Sequence, residues 1–80
     1  MTRPAREVDS IEIQVNGEMR KLKRGCCVLD VLEELDLHPQ TVAVEYNGSI
    51  LKRADYGSAV LQPADRLELV RFVQGGGWFG

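Results

Sequence analysis

Apolar and polar side chains alternate from Ser10 to Val15, with Ile11, Ile13 and Val15 on one side and Glu12 and Gln14 on the other. A period of two marks a strand with one buried face. Asn16-Gly17 follows, a strong short-range signal for a hairpin turn. Residues 18–23 form the returning strand, with Met19 and Leu22 its apolar members, and Gly25 breaks it. The period then changes. Val28, Val31, Leu32 and Leu35 recur at i, i+3, i+4 and i+7, one face of a helix, among Asp30, Glu33, Glu34 and Asp36. Acids early in this segment suit the positive end of the helix dipole. No Ser, Thr, Asp or Asn stands at Cys26 or Cys27 to cap it, so a weakly held first turn is expected. Pro39 ends the helix by residue 38.

Residues 41–46 read as a third strand, with Val42 and Val44 inward and Ala43 and Glu45 outward. Asn47-Gly48 is a second hairpin signal, leading to a short strand at 49–52. Residues 53–58 read as a polar turn or a single helical turn in which Tyr56 packs, and Pro63-Ala64-Asp65 as another turn. The last strand spans 66–73, with Leu67 and Leu69 on one face and Glu68, Val70 and Phe72 on the other. The order is thus β-β-α-β, a short strand, then β. One helix laid across one face of a mixed sheet is the simplest two-layer way to bury all the inward residues. That arrangement is the β-grasp, or ubiquitin-like, fold, an α+β class with four to five strands on one main helix. In it the final strand lies inside the sheet and the chain end leaves from it. The expected organisation is a loose extension at 1–9, a β-grasp domain at 10–74 and a glycine-rich tail at 75–80.

Composition changes this picture little. Eighty residues make one small domain, near the lower limit for a self-sufficient core. A net charge of −2 leaves no basic stripe, so nucleic acid is not a natural partner. No apolar run is long enough to span a membrane, and residues 1–9 are short and charged, unlike a signal peptide. A cytoplasmic protein is expected. Cys26 and Cys27 are adjacent, which strains a disulfide ring and lacks metal-ligand spacing. They read as reduced thiols at a helix start, with a redox switch or sulfur handling as the alternative. His38 reads as a loop residue. With one histidine there is no Ser/His/Asp set, and neither a phosphate-binding glycine loop nor a carboxylate pair is evident. No catalytic residue, metal or bound cofactor is assigned.

The chemistry concentrates in Gly75, Gly76 and Gly77, which directly follow the last strand. Glycine has no side chain to pack and loses the most backbone entropy on ordering, so the run holds neither helix nor strand. Such a string is thin enough to thread a narrow active-site channel, and the six residues from Gly75 to the last in the sequence reach roughly 20 Å when extended. A glycine carboxylate is the least hindered acyl group a protein offers. The tail therefore reads as a substrate. A glycine-rich end without a role is the plain alternative for these residues taken alone.

The stretch Val42-Ala43-Val44-Glu45-Tyr46-Asn47-Gly48, then Asp65-Arg66-Leu67-Glu68-Leu69-Val70-Arg71-Phe72-Val73, then the glycines, resembles the ThiS family of sulfur carriers, over roughly residues 10–77. The related MoaD family shares the fold and a glycine-pair end. Its segment before the glycines contains proline, unlike Val70-Arg71-Phe72-Val73-Gln74, so ThiS is the nearer likeness. The resemblance implies a non-enzymatic carrier in the thiazole branch of thiamine biosynthesis. A ThiF-like, E1-like enzyme adenylates the terminal carboxylate with ATP and Mg²⁺, and a sulfur donor displaces AMP to leave a thiocarboxylate. A ThiG-like thiazole synthase then receives the sulfur. Modification is expected at Gly77.

Two features depart from that pattern. Trp78, Phe79 and Gly80 follow the glycines and keep Gly77 in a peptide bond, so removal of these three residues by a peptidase is expected. Gln74 lengthens the link by one residue, about 3.5 Å. For docking, Val70 and Phe72 with Ala43 are expected to form an exposed apolar patch. Arg71 either pairs with acids on the enzyme or stays a solvated charge. Two other readings stay open. One is a carrier serving a MoaD-like, cysteine, methionine or secondary-metabolite pathway. The other is a ubiquitin-like interaction module that is never activated.

Overall fold

The structure is a computed structural model and describes residues 9–72. The expected extension at 1–9, apart from Asp9, the last strand residue Val73, Gln74 and the expected tail at 75–80 lie outside the described residues. Among the described residues five strands and one helix follow in order: β1 Ser10–Val15, β2 Glu18–Lys23, α1 Val28–Glu34, β3 Val42–Tyr46, β4 Ser49–Leu51 and β5 Arg66–Arg71. Short 3₁₀ turns stand at Pro39–Thr41 and Arg53–Asp55. The sheet order is β2-β1-β5-β3-β4, with β1 parallel to β5 and every other pair antiparallel. The last strand is therefore central, and the architecture is the expected β-grasp.

The alternation predicted for β1 decides which face is buried. Ile11, Ile13 and Val15 point into the core with Leu22, Val42, Val44 and Leu67, under Val28, Val31 and Leu32 of α1. Met19, the other apolar member of β2, lies on the opposite face and is exposed. Both Asn-Gly pairs form the tight turns their chemistry favours. Asn16 and Asn47 hold φ of 51° and 52°, and the glycines after them 85° and 90°, the positive-φ pair such two-residue hairpins require. The outer edge of β2 carries Arg20, Lys21 and Lys23, and charge on an edge discourages pairing with a second sheet.

The helix starts at Val28, where the apolar period begins, and stops at Glu34, four residues inside the limit that Pro39 sets. Asp36 takes φ of 62°, its N–H donates to the Glu33 carbonyl, and the Leu37 N–H reaches back to Leu32 at 2.8 Å. This is a Schellman ending, with Leu37 closing over the last turn. The apolar period through Leu35 and Leu37 thus continues in space but not as helix. The first turn is also firmer than expected. The Cys27 N–H donates to Asp30 Oδ2 at 3.0 Å and the thiol donates to the same oxygen at 3.4 Å. The Val28 and Leu29 N–H groups donate to the carbonyls of Ala59 and Tyr56. Tyr56 is buried, as its apolar ring requires, and its hydroxyl donates to the Val42 carbonyl at 2.8 Å.

One turn is built with a costly residue. In the turn over 62–65 the Asp65 N–H donates to the Gln62 carbonyl at 3.1 Å, Pro63 occupies the second position and Ala64 holds φ of 72° at the third. Positive φ at that position normally selects glycine, because the left-handed region costs an L-residue about 1–2 kcal/mol. Ala64→Gly relieves that strain but adds freedom to the unfolded chain. The variant is expected to be about 0.5 kcal/mol more stable in urea titration.

Candidate functional site

The chain leaves the fold through β5, so the site is built from what fixes that strand. On the β3 side, five residue pairs run from Val42 with Arg71 to Tyr46 with Leu67. The Phe72 N–H adds a bond to the Thr41 carbonyl at 2.8 Å. On the β1 side only two pairs form, Gln14 with Arg66 and Val15 with Leu67, because β1 ends at its hairpin. Asn16 extends the ladder with its side chain. Its Oδ1 accepts from the Leu69 N–H at 2.7 Å, its Nδ2 donates to the Leu69 carbonyl at 3.3 Å, and its N–H donates to Leu67 at 2.9 Å. A turn residue here does the work of one more strand residue. Asn16→Ala removes both side-chain bonds and is expected to cost about 2 kcal/mol. Hydrogen exchange at the Leu69 amide should accelerate more than at Ile13.

The other end of β5 is held by Asp65. This carboxylate is 9% exposed. Its Oδ2 accepts from the Tyr46 hydroxyl at 2.5 Å and the Gln62 N–H at 2.8 Å, and its Oδ1 accepts from Asn47 Nδ2 at 3.1 Å. Asn47 Oδ1 in turn accepts from the Arg66 N–H at 2.8 Å. Burial alone would raise the Asp65 pKa. The bonds from Tyr46, Gln62 and Asn47 outweigh it and hold the carboxyl below its ordinary value. The hydrogen bond to Asp65, burial and the carboxylate's charge push the Tyr46 hydroxyl up to about 12. Sequence alone marks Asn47 and Asp65 only as turn residues and Tyr46 only as the end of the third strand. They tie the second hairpin turn to the start of β5, across 18 and 19 residues of chain.

The four expected docking residues do not share one face. Ala43 and Val70 are register partners on the face away from α1, with Val70 58% and Phe72 44% exposed. Arg71 pairs with buried Val42 and points to the helix side. There it lines a groove of about 430 Å³ with Leu69, Leu35, Leu37 and Arg20. The apolar patch is therefore Ala43, Val70 and Phe72, flanked by Glu68, which faces Glu45 directly across the strands. Gly75, Gly76 and Gly77 lie outside the described residues.

Cys26 and Cys27 are free thiols, half-buried at the start of α1. His38 accepts from the Gln40 N–H through Nδ1 at 3.1 Å and so caps the turn at Pro39–Thr41. Among the described residues no group of three or more His, Cys, Asp or Glu could hold a metal ion, and no helix is long and apolar enough to cross a membrane.

Comparison with known proteins adds three findings. The model of the ThiS family matches residues 13–76. A thiazole synthase of Magnetococcus marinus is 38% identical over 66 residues, which is 82% of this chain and 20% of that protein. The chain thus spans about one fifth of the length of the curated thiazole synthases it matches. The crystal structure of a thiamine biosynthesis protein (ThiS) from Geobacter metallireducens superposes with a TM-score of 0.70 at 26% identity, covering 82% of this chain and 100% of that one.

Proposed function

The chain belongs to the ThiS family, and from that premise we propose that it is a sulfur carrier for thiazole formation in thiamine biosynthesis. Water first cleaves the Gly77–Trp78 peptide bond in a peptidase, freeing the Gly77 carboxylate. That carboxylate is unreactive toward sulfide, being an anion with a poor leaving group. An E1-like, ThiF-like enzyme uses ATP and Mg²⁺ to make the acyl adenylate and releases pyrophosphate. A sulfide-level donor then attacks the acyl carbon, AMP leaves, and a terminal thiocarboxylate remains. A thiazole synthase takes up the sulfur. Catalytic groups and the metal belong to these partners, and in this reading the carrier works in the cytoplasm, where ATP is available.

The observation that carries the reading is the setting of β5. The glycines follow a central strand that is hydrogen-bonded on both sides and pinned by Asn16 and by the Asp65 cluster. A firm anchor lets an enzyme locate a thin tail by docking the domain. Ala43, Val70 and Phe72 offer that enzyme an apolar surface beside the exit. The match of one domain-length segment within much longer thiazole synthases supports that enzyme as the receiving partner.

The test is a chain ending at Gly77, incubated with a ThiF-like enzyme, MgATP and a sulfide source. Intact-mass spectrometry should show exchange of one oxygen for sulfur. An unchanged mass, with an activator that charges another carrier under the same conditions, defeats the reading.

A further inference from the structure

We propose that the groove on the helix side of β5 is the seat of this chain's own Trp78 and Phe79, so that the cap folds back onto the domain. Four observations point there. Leu69 and Arg71, the last inward-facing residues of β5, line the groove, so the groove lies beside the end of that strand. Leu35 and Leu37 also line it, half-buried and packed against the core, and its volume is about 430 Å³.

Reach and chemistry also agree. Trp78 is six residues beyond Phe72, a span of up to roughly 20 Å, and Gly75, Gly76 and Gly77 tolerate the backbone reversal that brings it back. Arg20 and Arg71 stand at the groove, and a guanidinium stacks favourably on an indole or phenyl face. The opposite face suits the cap less, because the depression beside Val70 sets two acids, Glu45 and Glu68, against Arg66, whereas the groove sets Arg20 and Arg71 against the one acid Glu18.

With the cap seated, the three glycines close a loop and cannot extend into an enzyme's channel. Cutting after Gly77 then removes both the chemical block and its anchor. The docking itself stands apart from the sulfur chemistry, and only this consequence rests on that reading.

Trp78 is the single tryptophan of the chain and reports its own position. In the full-length protein its emission should be blue-shifted, and acrylamide should quench it roughly two-fold less readily than in Leu37→Glu or Arg71→Glu, as for an indole ring largely covered by protein. Circular dichroism confirms that each variant is folded. In a parallel NMR comparison, deletion of Trp78, Phe79 and Gly80 should shift the methyls of Leu35, Leu37 and Leu69 and leave Ile50 and Val70 unchanged. Fully hydrated emission in the folded full-length chain overturns the proposal. So does a set of shifts confined to Ile50 and Val70, or a blue shift lost on dilution, which assigns the groove to a second copy. Neither readout uses an activating enzyme, so failed sulfur loading and failed docking are separate results.

Discussion

Replacing Asp65 by alanine should lower the stability of the domain by about 3 kcal/mol, because the buried carboxylate accepts three part-buried hydrogen bonds, each worth about 1 kcal/mol or more, those to a charged group at the upper end. A domain of this size has only about 4–12 kcal/mol in hand, so the loss is large and is read directly from urea titration. Tyr46→Phe removes one donor and leaves the carboxylate its bonds from Gln62 and Asn47, so its cost should be smaller, about 1.5 kcal/mol. The pair also sets pH behaviour. The folded Asp65 carboxyl lies below its ordinary value. As pH falls past about 4, the unfolded chain takes up this proton before the folded one does. The stability contributed by Asp65, full above that point, is lost as pH drops toward the folded value. The Tyr46 hydroxyl is shifted the other way, from 10.0 to about 12. Its contribution is complete below pH 10 and fades as pH rises through that window, where the unfolded tyrosine ionises first. Tyr46→Phe should flatten this alkaline limb, and Asp65→Ala should weaken both limbs. If the alkaline slope of stability is the same in Tyr46→Phe as in the parent, the assignment fails.

The second large effect concerns the tail. Sulfur loading should be undetectable in a chain that retains Trp78, Phe79 and Gly80 and is kept from peptidases, and full in one that ends at Gly77. In the shortened chain, Gly77→Val should slow loading by about 100-fold, since a branched side chain displaces the acyl carbon and misplacement of about 1 Å costs that much. The variant leaves the described fold untouched, so the loss cannot be charged to unfolding. Rates follow from intact-mass spectrometry at intervals. Loading of the uncut chain at the rate of the shortened one would show that the cap blocks nothing.

Much of this architecture was legible in the sequence because local and global preferences agree. The alternation of Ile11, Ile13 and Val15, the two Asn-Gly turns and the period of Val28, Val31 and Leu32 each specify the element that forms. The helix end was not legible. Leu35 and Leu37 keep the apolar period going, and the stop is made by Asp36 in a left-handed conformation that aspartate adopts only sometimes. The firm helix start was hidden too, since its donors are met by Asp30 and by carbonyls near Tyr56, the latter distant in sequence. The split of Arg71 from Val70 was implicit in strand alternation. The groove that Arg71 enters was not, because it depends on where the helix end settles over the sheet. The second role of Asn16 and Asn47 was masked by the first. As turn residues they already explain themselves, and only the three-dimensional pairing shows their amides gripping β5.

The way β5 is held bears on what happens when an enzyme tugs the tail. Traction along the strand axis loads its bonds to β1, to β3 and to the Asn16 amide in shear, all at once rather than one after another. Bonds stressed in parallel share the force, whereas bonds peeled in series break singly. A partner drawing the glycines into its channel would therefore straighten the linker long before it disturbed the sheet, and its pull would be spent on seating the acyl end instead of unravelling its carrier.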